Sequence, residues 1–258
     1  MVLRRKREMT QLMAAKKGDH PCISAPRRSW PTPGKRRAEM VGMAGALVLN
    51  IGTLTPSLVE AMLAAGRRAN ELGVPIVLDP VGAGATGLRT ESARRLMAEL
   101  EIAVLRGNAA EISILAGCGG RVKGVDAAGN EADPVSVARR LARERDMVVA
   151  VTGPQDVVSE GERVLVVDNG HPLLGAITGT GCMASTAVAV FAAVEKDRAL
   201  AAAAALACFG IAGELAAGRA AGPGSFKAAL FDEVANLTPE VVATRARIRR
   251  PVIEETAR

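Results

Sequence analysis

From residue 44 onward, short apolar runs alternate with longer stretches in which apolar residues recur every three or four positions. "AGALVLNIG" (44–52), "VPIVLDPVG" (74–82), "IAVLRGN" (102–108) and "MVVAVTGPQ" (147–155) are aliphatic and halted by Gly, Asp or Pro, a pattern that predicts buried strands. Between them, "TPSLVEAMLAAGRRANELG" (55–73) opens on Thr-Pro and closes on Gly, as a capped helix does. "TESARRLMAEL" (90–100), "AAEISILAG" (109–117) and "DPVSVARRLARERD" (133–146) carry the same helical spacing. "DVVSEGERVLVVDNG" (156–170) predicts a hairpin turning at Ser159 to Glu162. An Ala-rich stretch from 183 to 218 is broken by "EKDR" at 195–198, which predicts two consecutive buried helices and no membrane span. "GPGSF" (222–226) is expected as a loop, and "KAALFDEVANL" (227–237) as the last helix.

Strands alternating with helices imply an α/β fold with parallel pairing, right-handed crossovers and helices on both faces of the sheet. In such sheets, functional groups gather where strands end and helices begin. Here those ends read NIGT, DPVGAGAT, RGNAAE and VTGP, all polar or glycine-rich. Residues 44–250 form the predicted domain. Residues 1–43 lack periodicity, are dense in Arg, Lys and Pro, and are read as a basic arm without regular structure.

Composition sharpens this picture in two places. Hydrophobic residues make up 49% of the 258 positions but aromatics only 2%, so the core is aliphatic, as suits a sheet covered on both faces. The net charge of +6 hints at nucleic acid only until it is divided. Of 33 Lys/Arg and 27 Asp/Glu, residues 1–40 hold 11 and 3, which leaves 22 and 24 for a nearly neutral remainder. The arm offers only Trp30 as a stacking aromatic, so no nucleic-acid partner is expected. Cys22, Cys118, Cys182 and Cys208 are widely spaced, and no apolar stretch follows "MVLRRKREMT" as in a signal peptide. The expectation is a reducing cytoplasm and no zinc site.

The candidate chemistry lies at the strand ends. In "ITGTGCMAS" (177–185), Gly179, Thr180 and Gly181 lead into a helix whose first amides and dipole suit an anion; Thr178 or Thr180 capping that helix is the plainer reading. No Lys-Ser/Thr follows, so this is not a Walker A loop. Asp79 ends a strand before Pro80, as either a helix cap or a magnesium-side carboxylate. Glu111 sits in the first turn of a helix, where it serves the dipole or the metal, and Mg²⁺ needs few carboxylates beside water and phosphate oxygens. Arg106 closes a strand before Gly107, as a phosphate fork or a rim salt bridge. Thr152 offers a hydroxyl beside Gly153 or an ordinary turn. His171 reads as a loop residue, which leaves a Ser-His-Asp triad little to build on.

Together these segments resemble the hydroxyethylthiazole kinase family of thiamine biosynthesis. The resemblance is carried by "GALVLNIGTL" (45–54), "VPIVLDPVGAGAT" (74–86), "LRGNAAEI" (105–112), "KGVDA" (123–127), "VTG" around Thr152, "NGHPLL" (169–174), "TGTGC" (178–182) and "GPGSF" (222–226). It implies a ribokinase-like αβα fold, ATP with Mg²⁺, and transfer of the γ-phosphoryl group to the hydroxyl of 4-methyl-5-(2-hydroxyethyl)thiazole. By motif, Arg106 and Thr152 correspond to ATP contacts, Gly179 to a substrate contact, and Asp79 and Glu111 to the magnesium side. The resemblance also implies a homotrimer with the thiazole bound between subunits. Cys182 then stands where the alcohol loses its proton. A free thiol titrates near about 8.5 and a helix N-terminus lowers that, so a thiolate is expected as general base. More distant relatives place an Asp at this point. A kinase of another small alcohol, such as hydroxymethylpyrimidine, and a catalytically dead relic are the competing readings.

The family's opening strand and helix, roughly "PLVHxITNxV…ANxLLALGASPVMA", are missing from the reading of residues 1–43. "ISAPRRSWPTPGKR" (23–36) can be encoded so that the frame offset by two nucleotides gives "LGASPVMADAREE". Residues 1 to about 38 are accordingly read as an out-of-frame translation, with the first strand absent, a sheet edge exposed, one pocket wall removed and phosphorylation impaired. Codons incompatible with the shifted peptide would end that reading.

Overall fold

The computed structural model describes residues 23–24, 40–118 and 133–251. One sheet of eight strands runs in chain order. Its strands are β1 (Ile23–Ser24), β2 (Leu47–Asn50), β3 (Ile76–Asp79), β4 (Val104–Asn108), β5 (Val148–Thr152), β6 (Asp156–Glu160), β7 (Arg163–Val167) and β8 (Ile248–Arg249). β1 to β5 pair in parallel and β5 to β8 antiparallel. The helices are α1 (Pro56–Leu72), α2 (Gly87–Glu99), α3 (Ala109–Leu115), α4 (Pro134–Arg145), α5 (Leu173–Ala176), α6 (Thr180–Ala192), α7 (Arg198–Ala217), α8 (Pro223–Asn236) and α9 (Pro239–Arg245).

Period-two alternation along the strands builds two cores, one on each face of the sheet. Leu47, Leu49, Ile76, Leu78, Leu105 and Val149 pack under α1 to α4. Val48, Val77, Val104, Val148 and Ala150 face the other way, under α6, α7 and α8. That is the expected αβα sandwich. α7 is long and apolar enough to cross a membrane by composition, yet sixteen of its twenty residues are buried against the sheet and its neighbours. Its alanines let α6 and the sheet approach closely, so an all-round apolar helix is explained by burial.

Local chemistry sets the boundaries. Thr55 accepts the amide of Leu58 with Pro56 in the first turn, and Gly73 closes α1 in the left-handed region at φ 66°. Thr86 caps α2, which therefore starts three residues before Thr90. Gly161, at φ 71°, and Glu162 make the tight turn between β6 and β7, narrowing the predicted hairpin turn.

Four expectations are corrected. Pro223 begins α8, so "GPGSF" is a helix start rather than a loop, because proline's fixed φ suits the first helical turn. α9 and β8 follow the helix expected to be last; both are too short to show a period in the sequence. The loop 177–179 joins α5 to α6, so the glycine turn links two helices and not a strand to a helix. The first strand is not missing: Ile23 and Ser24 pair in parallel with Leu47 and Val48, covering half of the β2 edge. Residues 1–22 and 25–39 of the basic arm and the "KGVDA" segment lie outside the described residues.

Candidate active site

Parallel pairing carries the C-terminal ends of β2 to β5 to one side of the sheet, with Asn50 opposite Asp79 and Asn108 opposite Thr152. Asp79 is almost fully buried. Its Oδ2 accepts Asn50 Nδ2 at 2.8 Å and Ser185 Oγ at 2.9 Å. Burial pushes its carboxyl above the usual carboxylate value; Arg106 opposes this, the charge of Glu111 adds to it, and the hydrogen bonds from Ser185 and Asn50 lower it. Asn50 Nδ2 also reaches Cys182 Sγ at 3.1 Å. Cys182, the third residue of α6, is exposed.

Arg106 is buried at 9% exposure, and its guanidinium lies against the α6 N-terminus. A Cβ built on Gly181 would stand 2.9 Å from Arg106 Nη1, so glycine there admits the arginine. Arg106 Nη2 donates to Thr152 Oγ1, whose own hydrogen points to the carbonyl of Gly107 at 3.3 Å. Arg106 Nε is buried without a partner, a donor left over in a polar corner. Among the described residues Arg106 bonds Thr152 and no carboxylate, unlike the rim-salt-bridge alternative. Asp156, at the start of β6, accepts the amide of Gly153 at 3.0 Å and lies within the field of Arg106.

Glu111 is committed to both strand-end loops. Its Oε1 accepts the amide of Gly82 at 2.8 Å and its Oε2 that of Asn108 at 2.9 Å, while Asn108 Oδ1 caps Glu111 in return. This reciprocal box starts α3. Each carboxylate oxygen keeps acceptor capacity beyond one amide.

Gly179 has φ 102°, a left-handed conformation that L side chains rarely adopt, and space around it is open. α6 begins there without a side-chain cap. Thr180 Oγ1 turns back to the carbonyls of Leu174 at 2.7 Å and Ile177 at 3.3 Å, tying α5 to the loop rather than capping α6. The capping reading of Thr180 is therefore corrected, and the thirteen-residue α6 presents its leading amides beside Arg106. His171 serves the backbone, its Nδ1 accepting the amide of Leu173 at 3.2 Å.

Among the described residues no group of three His, Cys, Asp or Glu is arranged to hold a metal ion. Mg²⁺ keeps much of its water and asks for one or two carboxylates, and the mutual repulsion of Asp79 and Glu111 is the condition a divalent cation relieves. The pair fits. A depression of about 500 Å³ lined by Ile102, Arg143, Asp146 and Arg198 lies at the opposite end of the strands and has no part in this site.

The tertiary structure thus gathers Asp79, Arg106, Glu111, Thr152, Gly179, Thr180, Gly181 and Cys182 at one sheet end. Sequence reasoning missed Asn50, Ser185 and Asp156. Asn50 stood in the NIGT strand end, and Ser185 falls three residues after Cys182 on the same helix face. Asp156 gave no signal, since its burial depends on how the hairpin folds back.

The hydroxyethylthiazole kinase family matches residues 33–240. A hydroxyethylthiazole kinase of Methanosphaerula palustris is 60% identical over 212 residues, which cover 82% of this chain and 80% of the relative. One from Chloroflexus aurantiacus is 61% identical over 211 residues, 82% of this chain and 78% of the relative. Among solved structures, the hydroxyethylthiazole kinase protein from Pyrococcus horikoshii OT3 superposes with a TM-score of 0.80 at 34% identity, over 97% of this chain and 99% of that one. An ADP complex of Bacillus subtilis pyridoxal kinase shares the fold, with a TM-score of 0.53 at 20% identity over 81% and 86% of the two chains.

Proposed function

This chain belongs to the hydroxyethylthiazole kinase family, and on that premise we propose that it transfers the γ-phosphoryl group of ATP to the hydroxyl of 4-methyl-5-(2-hydroxyethyl)thiazole. One observation carries the reading: an exposed thiol at the start of α6 is bonded through Asn50 to buried Asp79, and the next glycine back rests on Arg106. Proton acceptor, anion-binding amides, phosphate fork and acidic pair then meet at one point.

In the proposed step the substrate hydroxyl oxygen bonds to the γ-phosphorus as the bond from that phosphorus to the ADP oxygen breaks. The hydroxyl proton moves to the Cys182 thiolate, which becomes a thiol. The amides of Gly179, Thr180 and Gly181 and the Arg106 fork face the negative charge on the moving group, and positioning of this kind dominates phosphoryl transfer. Arg106 and Thr152 hold the nucleotide phosphates, and Gly179 leaves room for the substrate. Asp79 and Glu111 would hold Mg²⁺, which when bound neutralises phosphate charge. The proposal extends to a homotrimer, with the thiazole bound between subunits, and to a reducing cytoplasm. The latter is supported by free thiols at Cys118 and Cys182.

The test is turnover of the purified chain with ATP, Mg²⁺ and the thiazole alcohol, with hydroxymethylpyrimidine as the competing acceptor. Cys182→Ala is expected to lose about 10²–10⁴-fold in kcat, the usual contribution of a general base. Cys182→Asp is expected to match or exceed wild type near neutral pH, because a carboxylate is already ionised. Equal rates for wild type and Cys182→Ala would remove the base. A wild-type rate matching that of the Methanosphaerula palustris protein would overturn the expectation that the N-terminal segment impairs activity.

A further inference from the structure

The hydrogen bonds of Asn50 fix what it can do. The amide of Gly52 donates to Asn50 Oδ1 at 2.8 Å. A backbone N–H meets only an acceptor, so the oxygen of the carboxamide faces Gly52 and the nitrogen faces the site. Its two hydrogens are then spent on two acceptors, Asp79 Oδ2 at 2.8 Å and Cys182 Sγ at 3.1 Å. The strand register sets this up, because Asn50 and Asp79 are direct partners across β2 and β3. Gly52 guards it as well: a Cβ there would stand 2.8 Å from Asn50 Oδ1 and push the carboxamide off its seat.

We propose that Asn50 is a positioning residue that holds Cys182 Sγ as a hydrogen-bond acceptor and aims it, while its other N–H ties the sulfur to Asp79. The value of this to catalysis rests on the reading of Cys182 as the base; the hold on sulfur does not. A hydrogen bond is stronger to a charged acceptor than to a neutral one, so the fork grips the sulfur most firmly when it acts as an acceptor in the reaction. Among the described residues, Asp79 shares Asn50 with the sulfur and Arg106 lies against the neighbouring Gly181, so Asn50 stands between Cys182 and the negative one. Without the fork, an ionised sulfur would meet the Asp79 carboxylate with no donor between them.

Two substitutions separate this role from a merely structural one. Asn50→Ala removes the donor and the acceptor for Gly52. Asn50→Asp is nearly isosteric and keeps the acceptor for Gly52 but has no N–H to give. The primary measurement is the rate of Cys182 alkylation by iodoacetamide near neutral pH, read by peptide mass so that Cys22, Cys118 and Cys208 do not interfere. Both variants are expected to slow alkylation of Cys182 about tenfold, the scale of one hydrogen bond to a charged group. Both are expected to lose kcat at least as much, while Arg106 and Thr152 keep their bond. Should either variant fail to fold, Gly52→Ala, which keeps every donor but displaces the carboxamide, is expected to slow alkylation in the same direction.

An Asn50→Asp chain alkylated at the wild-type rate while Asn50→Ala is slow would reduce Asn50 to an anchor for Gly52 and overturn the proposal. So would wild-type alkylation in both. If Cys182→Ala keeps full turnover while Asn50→Asp slows alkylation, the base reading falls and the hold on sulfur stands.

Discussion

At Asp156, burial pushes the carboxyl from 3.8 up to about 6, while the Gly153 amide and the charge of Arg106 pull the other way. A carboxyl whose pKa is higher folded than unfolded binds its proton more tightly in the folded state. Its contribution to stability is full below the unfolded value and is lost as pH rises through about 6. Asp156→Asn does not titrate, so its melting temperature relative to wild type is expected to improve as pH is raised from about 4 to above 6. Scanning fluorimetry across that range checks the sign, and a gap constant with pH would refute it. Arg106 makes a second case. Its fork bonds Thr152, fills the space Gly181 leaves, and keeps one buried N–H without a partner. Arg106→Lys supplies the charge without the planar fork, and KM for ATP is expected to rise about tenfold with a smaller change in kcat. Steady-state kinetics at saturating thiazole alcohol decides it.

At the scale of elements, α7 positions the site from below by holding the loop after β7. Gly210 lies so close to that loop that a Cβ would stand 2.6 Å from the carbonyl oxygen of Asn169. Backbone cannot swing aside as a long side chain does. Gly210→Ala, a change that ordinarily strengthens a helix, is therefore expected to destabilise the chain by about 1–3 kcal/mol, the usual cost of overpacking. Thermal or urea denaturation measures it, and a stabilised variant would mean the loop has somewhere to go. Asn169 has more to lose than contact, because its carboxamide bonds Glu214, the carbonyl of Arg245 and the amide of Arg247, stitching β7, α7 and the strand-forming C-terminal segment together. This explains how α9 and β8, which have no periodicity of their own, are held in place.

At the scale of the whole molecule, the described surface leaves Met43, Leu88, Phe231 and Val234 exposed. Phe231 and Val234 stand one turn apart on α8, with Leu88 on α2 and Met43 just before β2, and apolar side chains of that size give contacts between copies something to cover. The proposed homotrimer predicts a solution mass near three times the chain's 26.6 kDa. Light scattering after size exclusion measures this directly, and a monomer would leave the thiazole pocket without its neighbouring subunit.

The chain's pattern by itself determined the alternation of strands and helices, the parallel sheet between two helical layers, and the strand ends as the place for chemistry. Those follow from periods of 2 and 3.6 residues and from capping residues such as Thr55, Gly73 and Asn108, all of which act over a few positions. Motifs also marked Asp79, Arg106, Glu111, Thr152 and Cys182, though each alone read as well for a cap or a turn. Only the tertiary structure decided what those residues do to one another. Asn50 becomes a fork because Cys182 arrives from 132 positions away, Gly181 matters because Arg106 leans on it, and Asp156 titrates near 6 because a folded hairpin takes its water. Hydrogen bonds and desolvation depend on distances of a few ångströms, and separation along a sequence does not set those distances.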